Sequence, residues 1–191
     1  MMVNLETKRA DIPSKAEIIV LLEWDDESID DIDLWITGDM PKPLSWQIKQ
    51  SGYWHLDRDD LGQSNDTAVI DGETMILKYN KEVATMRGNM PGDFFINVHV
   101  YAKKEKNPVK FKVTLIDVNP YSEPLQINEI ATEQAQVFVL PGFSVDGDGN
   151  ITKVFHNDKH FAATRTGMKE IPDVLYFEIP NKVRQFATGG E

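Results

Sequence analysis

No cysteine occurs among the 191 residues of the chain. That excludes a disulfide framework, a thiolate metal centre and a cysteine nucleophile, and it leaves the redox compartment open. Long hydrophobic runs are missing too. The longest aliphatic stretch is Ile18 to Leu22, far short of the ~20 residues a membrane-spanning helix needs. The first residues, MMVNLETKRADIPSKAE, hold no apolar signal core, so the expectation is a protein made in the cytoplasm, without its own export signal and without a membrane partner. Basic charge is scarce: 20 Lys and Arg face 31 Asp and Glu, for a net charge of −11. A field of that sign argues against direct nucleic-acid binding and favours cations and basic surfaces. The sequence also lacks a phosphate-cradling P-loop, a Gly-x-Ser-x-Gly elbow and a paired His-Glu zinc helix. Two carboxylates on one strand make no cleft for glycoside hydrolysis, so a non-enzymatic protein is expected.

A sustained 3.6-residue period is absent as well. What is present is a series of short alternating runs punctuated by turns, such as FFINVHVY at Phe94 to Tyr101 and VKFKVTLIDV at Val109 to Val118. That spacing predicts an all-β fold, an antiparallel β-sandwich of jelly-roll or immunoglobulin-like type, over residues 16–156. Residues 1–15 read as an N-terminal arm and 157–191 as a C-terminal extension. The charge distribution supports the second boundary. Beyond His156, Lys159, Arg165, Lys169, Lys182 and Arg184 balance Asp158, Glu170, Asp173, Glu178 and Glu191, so the whole excess lies in the body.

The stretch WDDESIDDIDLWITG, Trp24 to Gly38, concentrates the chemistry. In its second half Ile32, Leu34 and Ile36 share one strand face, and Asp31, Asp33 and Trp35 share the other. Two carboxylates two residues apart on a strand stand about 7 Å apart and repel unless a cation sits near them. A second acidic group, Asp57, Asp59 and Asp60, follows in LDRDDLG. Loops at one end of a sandwich can bring the two groups together, and Asp31, Asp33, Asp57, Asp59 and Asp60 would then offer the oxygens that calcium takes. The competing reading is a solvated acidic edge that keeps the sheet from pairing with others. Asp25, Asp26 and Glu27 read as solvent-facing. Asp146 to Asn150 (DGDGN) starts like a calcium loop, but Ile151 stands where a Gly is required, and a Gly-rich hairpin explains it better. His156 and His160 are four apart without a helical pattern around them, so no zinc site is expected.

Trp35, Trp46, Tyr53 and Trp54 lie near the acidic loops. Exposed, they would stack on a sugar or anchor a protein partner; buried, they would cap the core. Trp24 reads as core. In the tail, Val174, Leu175, Tyr176, Phe177 and Ile179 form a strand-like segment between Pro172 and Pro180. It could add to a neighbouring subunit's sheet edge or fold back on its own body.

The strings DDIDLWITG, LDRDDLG and NMPGDFFINVHVY together resemble a group of poorly characterised bacterial and phage β-sandwich domains. These carry an Asp-Leu-Asp-Leu strand, an Asp-rich loop and a Pro-Gly turn into an alternating strand. The resemblance covers residues 17 to 156, and the chain departs from the usual form at Ile32, Trp35 and Phe94. Similar sequences occur among virion structural genes of tailed phages. The resemblance implies a non-catalytic sandwich with its acidic loops at one end. The expected function is therefore a structural or assembly protein of a tailed-phage virion, made in the host cytoplasm, with other subunits as homo- or hetero-oligomeric partners. The alternative is a carbohydrate- or surface-binding module, cytoplasmic or otherwise.

Overall fold

The structure is a computed structural model that describes residues 16–62, 67–70, 72–76 and 79–162. The segment Val174, Leu175, Tyr176, Phe177 and Ile179 and both predicted arms beyond these bounds lie outside the described residues. Every strand pairs antiparallel, in three sheets. The six-stranded sheet runs, in spatial order, β10 (Tyr121–Ala131), β9 (Val109–Val118), β1 (Ile18–Trp24), β7 (Lys81–Met86), β4 (Trp54–Arg58) and β3 (Gln50–Ser51). The four-stranded sheet runs β12 (Ile151–Phe155), β11 (Val137–Val145), β8 (Gly92–Ala102) and β2 (Asp31–Gly38). A small hairpin pairs β5 (Thr67–Ile70) with β6 (Glu73–Ile76). The two large sheets pack face to face, as the all-β sandwich reading expects.

Strict alternation builds the core. Ile18, Val20, Leu22 and Trp24 of β1 face Ile32, Leu34 and Ile36 of β2 and Phe94, Ile96, Val98 and Val100 of β8 across one continuous apolar cluster. Trp54 is fully buried in it, with its ring 5.5 Å from that of Phe94 and 6.2 Å from that of Phe143. These edge-on contacts match the quadrupoles of the rings.

A third layer covers the outer face of the four-stranded sheet. Trp35 and Phe95 point away from the main core, yet they are buried in a second cluster with Phe161 and Ala162, flanked by Trp46, Val137 and Phe155. The strap of residues 157–162 is held there by the buried Asn97 of β8. The Asn97 carboxamide donates to the Lys159 carbonyl at 3.0 Å, and its oxygen accepts from the Phe161 amide at 2.9 Å and the Ala162 amide at 3.3 Å. Residues 157–162, read from the sequence as the start of an extension, thus belong to the body.

Other departures have local causes. The alternating run Leu44 to Ile48 makes only one bridge, between Leu44 and Ile36, because the Ser45 carbonyl and amide both bond Ile48 in a tight turn. Pro141 and Gly142 do not break β11. A register shift between Leu140 and Phe143 absorbs them, and Gly142 leaves room for the Phe155 ring where a Cβ would stand 2.5 Å from it. The Pro91-Gly92 pair does not make a type II turn. Gly92, at φ +151°, already begins β8.

Candidate metal centre

β2 is an edge strand, yet all eight of its residues are buried. An edge exposes amides that need acceptors. Two are satisfied from outside the four-stranded sheet: the Ile36 amide donates to the Leu44 carbonyl at 3.1 Å, and the Leu34 amide donates to Glu82 Oε2 at 2.6 Å. Glu82 stands on β7 of the opposite sheet, so its carboxylate closes the edge of one layer from the other. It is 1% exposed, and its Oε1 faces no donor.

Beside Glu82 lie Asp33 of β2 and Asp59, just past the end of β4. One carboxylate oxygen from each falls within 4.8 Å of the others. Asp31 stands close enough to feel Asp33, Asp59 and Asp60. Two oxygens on one calcium lie at most about 5 Å apart, twice a Ca–O distance of about 2.3–2.6 Å. The triad can therefore share a single divalent ion, with remaining positions left to water.

The electrostatics describe the same place. Burial, then repulsion from Asp33, Asp59 and Asp60 against a smaller pull from Lys104, raises Asp31 from the ordinary 3.8 to about 7. Burial and the Asp59 charge raise Asp33. Burial, Asp33 and Asp59 raise Glu82, opposed by the Leu34 amide. Three carboxylates this close cannot all ionise in a dry site without a counter-charge. Lys49 Nζ, 2.8 Å from Asp59 Oδ2, offsets one charge; the remainder calls for a proton on one of the buried acids or a cation among the three. His99 does not supply the charge. Burial lowers its pKa, and its Nδ1 lies 3.4 Å from Asp33 Oδ2, at the limit of a hydrogen bond.

The sequence-predicted ligands separate into three kinds. Asp33 and Asp59 converge, and Asp31 feels their charge without joining the close triad. Asp57 does not converge: its carboxylate accepts from Thr85 Oγ1 at 2.6 Å and pairs with Arg87, because strand alternation turns it to the other face of β4. Asp60 is fully buried but committed, bonding Arg58 Nη2 at 3.0 Å and the Gly62 amide at 3.0 Å. Gly62 closes this acidic loop at φ +60°, where a Cβ would stand 2.9 Å from the Ile29 carbonyl. Asp59 also pairs with Lys49 at 2.8 Å. Glu82 was missed, since a lone Glu in KEVATM reads as an ordinary strand residue. Its only signal is its place at an inward position of β7.

Asp25, Asp26 and Glu27 are exposed, as expected. Asp146 is spent within its own hairpin, its Oδ1 accepting from the Asp148 and Asn150 amides at 2.9 Å each.

The aromatic platform is largely overturned. Trp35 is 1% exposed under the 157–162 strap and Trp54 0% exposed in the main core, so neither can meet a sugar. Trp46 is half-buried, with its ring edge-on to Tyr101 at 5.7 Å. Tyr53 alone of the four is open, at 54%.

No helix of the described residues is long and apolar enough to cross a membrane. No protein-family model and no curated protein matches the chain, so the chemistry of this centre rests on its own geometry.

Proposed function

We propose that the chain is a non-enzymatic structural subunit of a larger protein assembly, with calcium at Asp33, Asp59 and Glu82 tying its two sheets together. The observation that carries the calcium site is Glu82: a fully buried carboxylate from the six-stranded sheet that bonds the edge of the other, keeps one oxygen without a donor and has an oxygen within 4.8 Å of those of two more acids. An ion there links β2, β7 and the segment after β4, which are far apart in sequence. Its work is mechanical, and no nucleophile or base is required of the site. The most specific form of the assembly role is a virion component of a tailed phage, made in the host cytoplasm. Its support is the likeness of the Asp-Leu strand, Asp-rich loop and Pro-Gly turn to phage sandwich domains. The burial of Trp35 and Trp54 weighs against the carbohydrate-binding alternative.

Thermal unfolding with and without calcium tests the site. Calcium at a hundred times its dissociation constant should add about 2.7 kcal/mol of stability. A melting temperature that ignores calcium up to ~10 mM, beyond the weak end of extracellular calcium sites, would sink it. The assembly role is tested by purifying the particle that contains the chain and mapping its neighbours by cross-linking. Recovery of the chain only as a free monomer would count against it.

A further inference from the structure

Among the described residues, nothing pairs with the far edge of the six-stranded sheet. β10 pairs only with β9, and among the described residues no backbone hydrogen bond reaches its outer side. Antiparallel strands point successive amides to opposite sides. The Val118 amide of β9 donates to Glu17, on the β1 side, so the odd residues of β9 from Val109 point toward β10. Their partners there are Leu125, Ile127, Glu129 and Ala131. The outward amides therefore belong to Gln126, Asn128 and Ile130.

The two halves of this edge differ. The first is blunted: Glu123 is charged, Pro124 offers no donor, and the register shifts between Ser122 and Leu125. These are the usual defences of an exposed edge. The second half, Leu125 to Ala131, has one charge and no proline. Ile130 there is 48% exposed beside a groove of ≈ 620 Å³ lined in part by Trp24, Phe111 and Asn128.

We propose that this half-strand pairs with the same half-strand of a second copy of the chain, antiparallel about a two-fold axis at Asn128. The sequence is self-complementary in that register. Asn128 meets Asn128, and Gln126 meets Ile130 twice, so all outward amides of the half-strand find carbonyls. On the other face Glu129 lies opposite Ile127 and Leu125 opposite Ala131, so no like charges confront each other. The product is one continuous sheet of twelve strands. This gives the assembly reading above a particular contact and is independent of the calcium site. Each copy carries a net charge of −11, so the pair forms against long-range repulsion and tightens as salt screens it.

The test is sedimentation equilibrium of the full chain over a dilution series at low and moderate salt. A monomer–dimer equilibrium that strengthens with salt is expected. Asn128→Pro removes one outward donor per copy and leaves the ladder to β9 intact. It should weaken association roughly tenfold or more with the melting temperature of the dilute monomer and the calcium response unchanged, whereas Asn128→Thr, which keeps the amide, should associate normally. A nitroxide on Asn128→Cys, the only thiol in the chain, should show dipolar broadening, because paired Cα atoms there stand about 5.5 Å apart. The same label on exposed Lys153→Cys of β12 should not. A monomer at every concentration overturns the proposal, including one whose edge is covered by its own Val174 to Ile179. So does a dimer indifferent to Asn128→Pro, or one that salt dissociates.

Discussion

Glu82 combines two duties that one substitution can separate. Glu82→Gln keeps an oxygen for the Leu34 amide but removes the charge. Without calcium the variant should melt no lower than the parent at neutral pH, since a buried acid surrounded by acids has been replaced by a neutral amide. With calcium its affinity should fall at least tenfold, taking roughly 1.4 kcal/mol from the stabilisation at fixed calcium; calorimetric titration and paired melts measure both. Glu82→Leu should cost about 1–3 kcal/mol even without calcium, because the Leu34 amide then loses its acceptor. Single residues were also where sequence reasoning was weakest. Asp33 and Asp59 were legible because acids crowd visibly in IDDIDLW and LDRDDLG. Glu82 was not, for its role comes from a contact 48 residues away in the chain. Lys103 is a similar case. It reads as a solvated loop lysine, yet its Nζ lies 2.6 Å from the buried Asp30 carboxylate, whose other oxygen takes the Lys104 and Glu105 amides.

Elements were read far better than their surroundings. β2, β8 and β9 follow from period-two alternation, and the inward face of β2, Ile32, Leu34 and Ile36, is the one the sequence assigned; β1 follows from its unbroken aliphatic run. Alternation tells inside from outside only where the outside meets water. On β2 and β8 the second face is covered by the 157–162 strap, so Trp35 and Phe95 are buried although their strand position points outward. No local pattern marks that strap, because one carboxamide on another strand holds it. Asn97→Ala should therefore release it. The lost hydrogen bonds should cost about 1–3 kcal/mol, and tryptophan emission should shift to the red as Trp35 meets solvent. Unchanged emission with unchanged stability would show that apolar packing alone holds the strap.

For the whole molecule, the acidic centre makes stability depend on pH in a direction opposite to that of ordinary surface carboxylates. Asp31 ionises near 3.8 when unfolded and at about 7 when folded, and Asp33 and Glu82 shift the same way. The folded state thus binds more protons between these values. The stability these groups contribute is full below about pH 4 and is lost as pH rises through 7. Denaturant titrations of the calcium-free protein should show its midpoint falling from pH 5 to pH 8, and saturating calcium should flatten that slope by replacing protons with metal. A midpoint that rises over this range without calcium would mean that the carboxylates are paired by cations already in the fold.

The outer edge of β10 has a geometric corollary. A two-fold axis relating antiparallel edge strands runs perpendicular to their sheet, so it leaves top as top and bottom as bottom. Both four-stranded layers would then sit on one side of the shared twelve-strand floor. The 157–162 straps, which cover the outer faces of those layers, would lie on that side in both copies. Such a pair is a plank with a roof and an underside, able to lie flat against one neighbour while presenting two identical strapped layers to another.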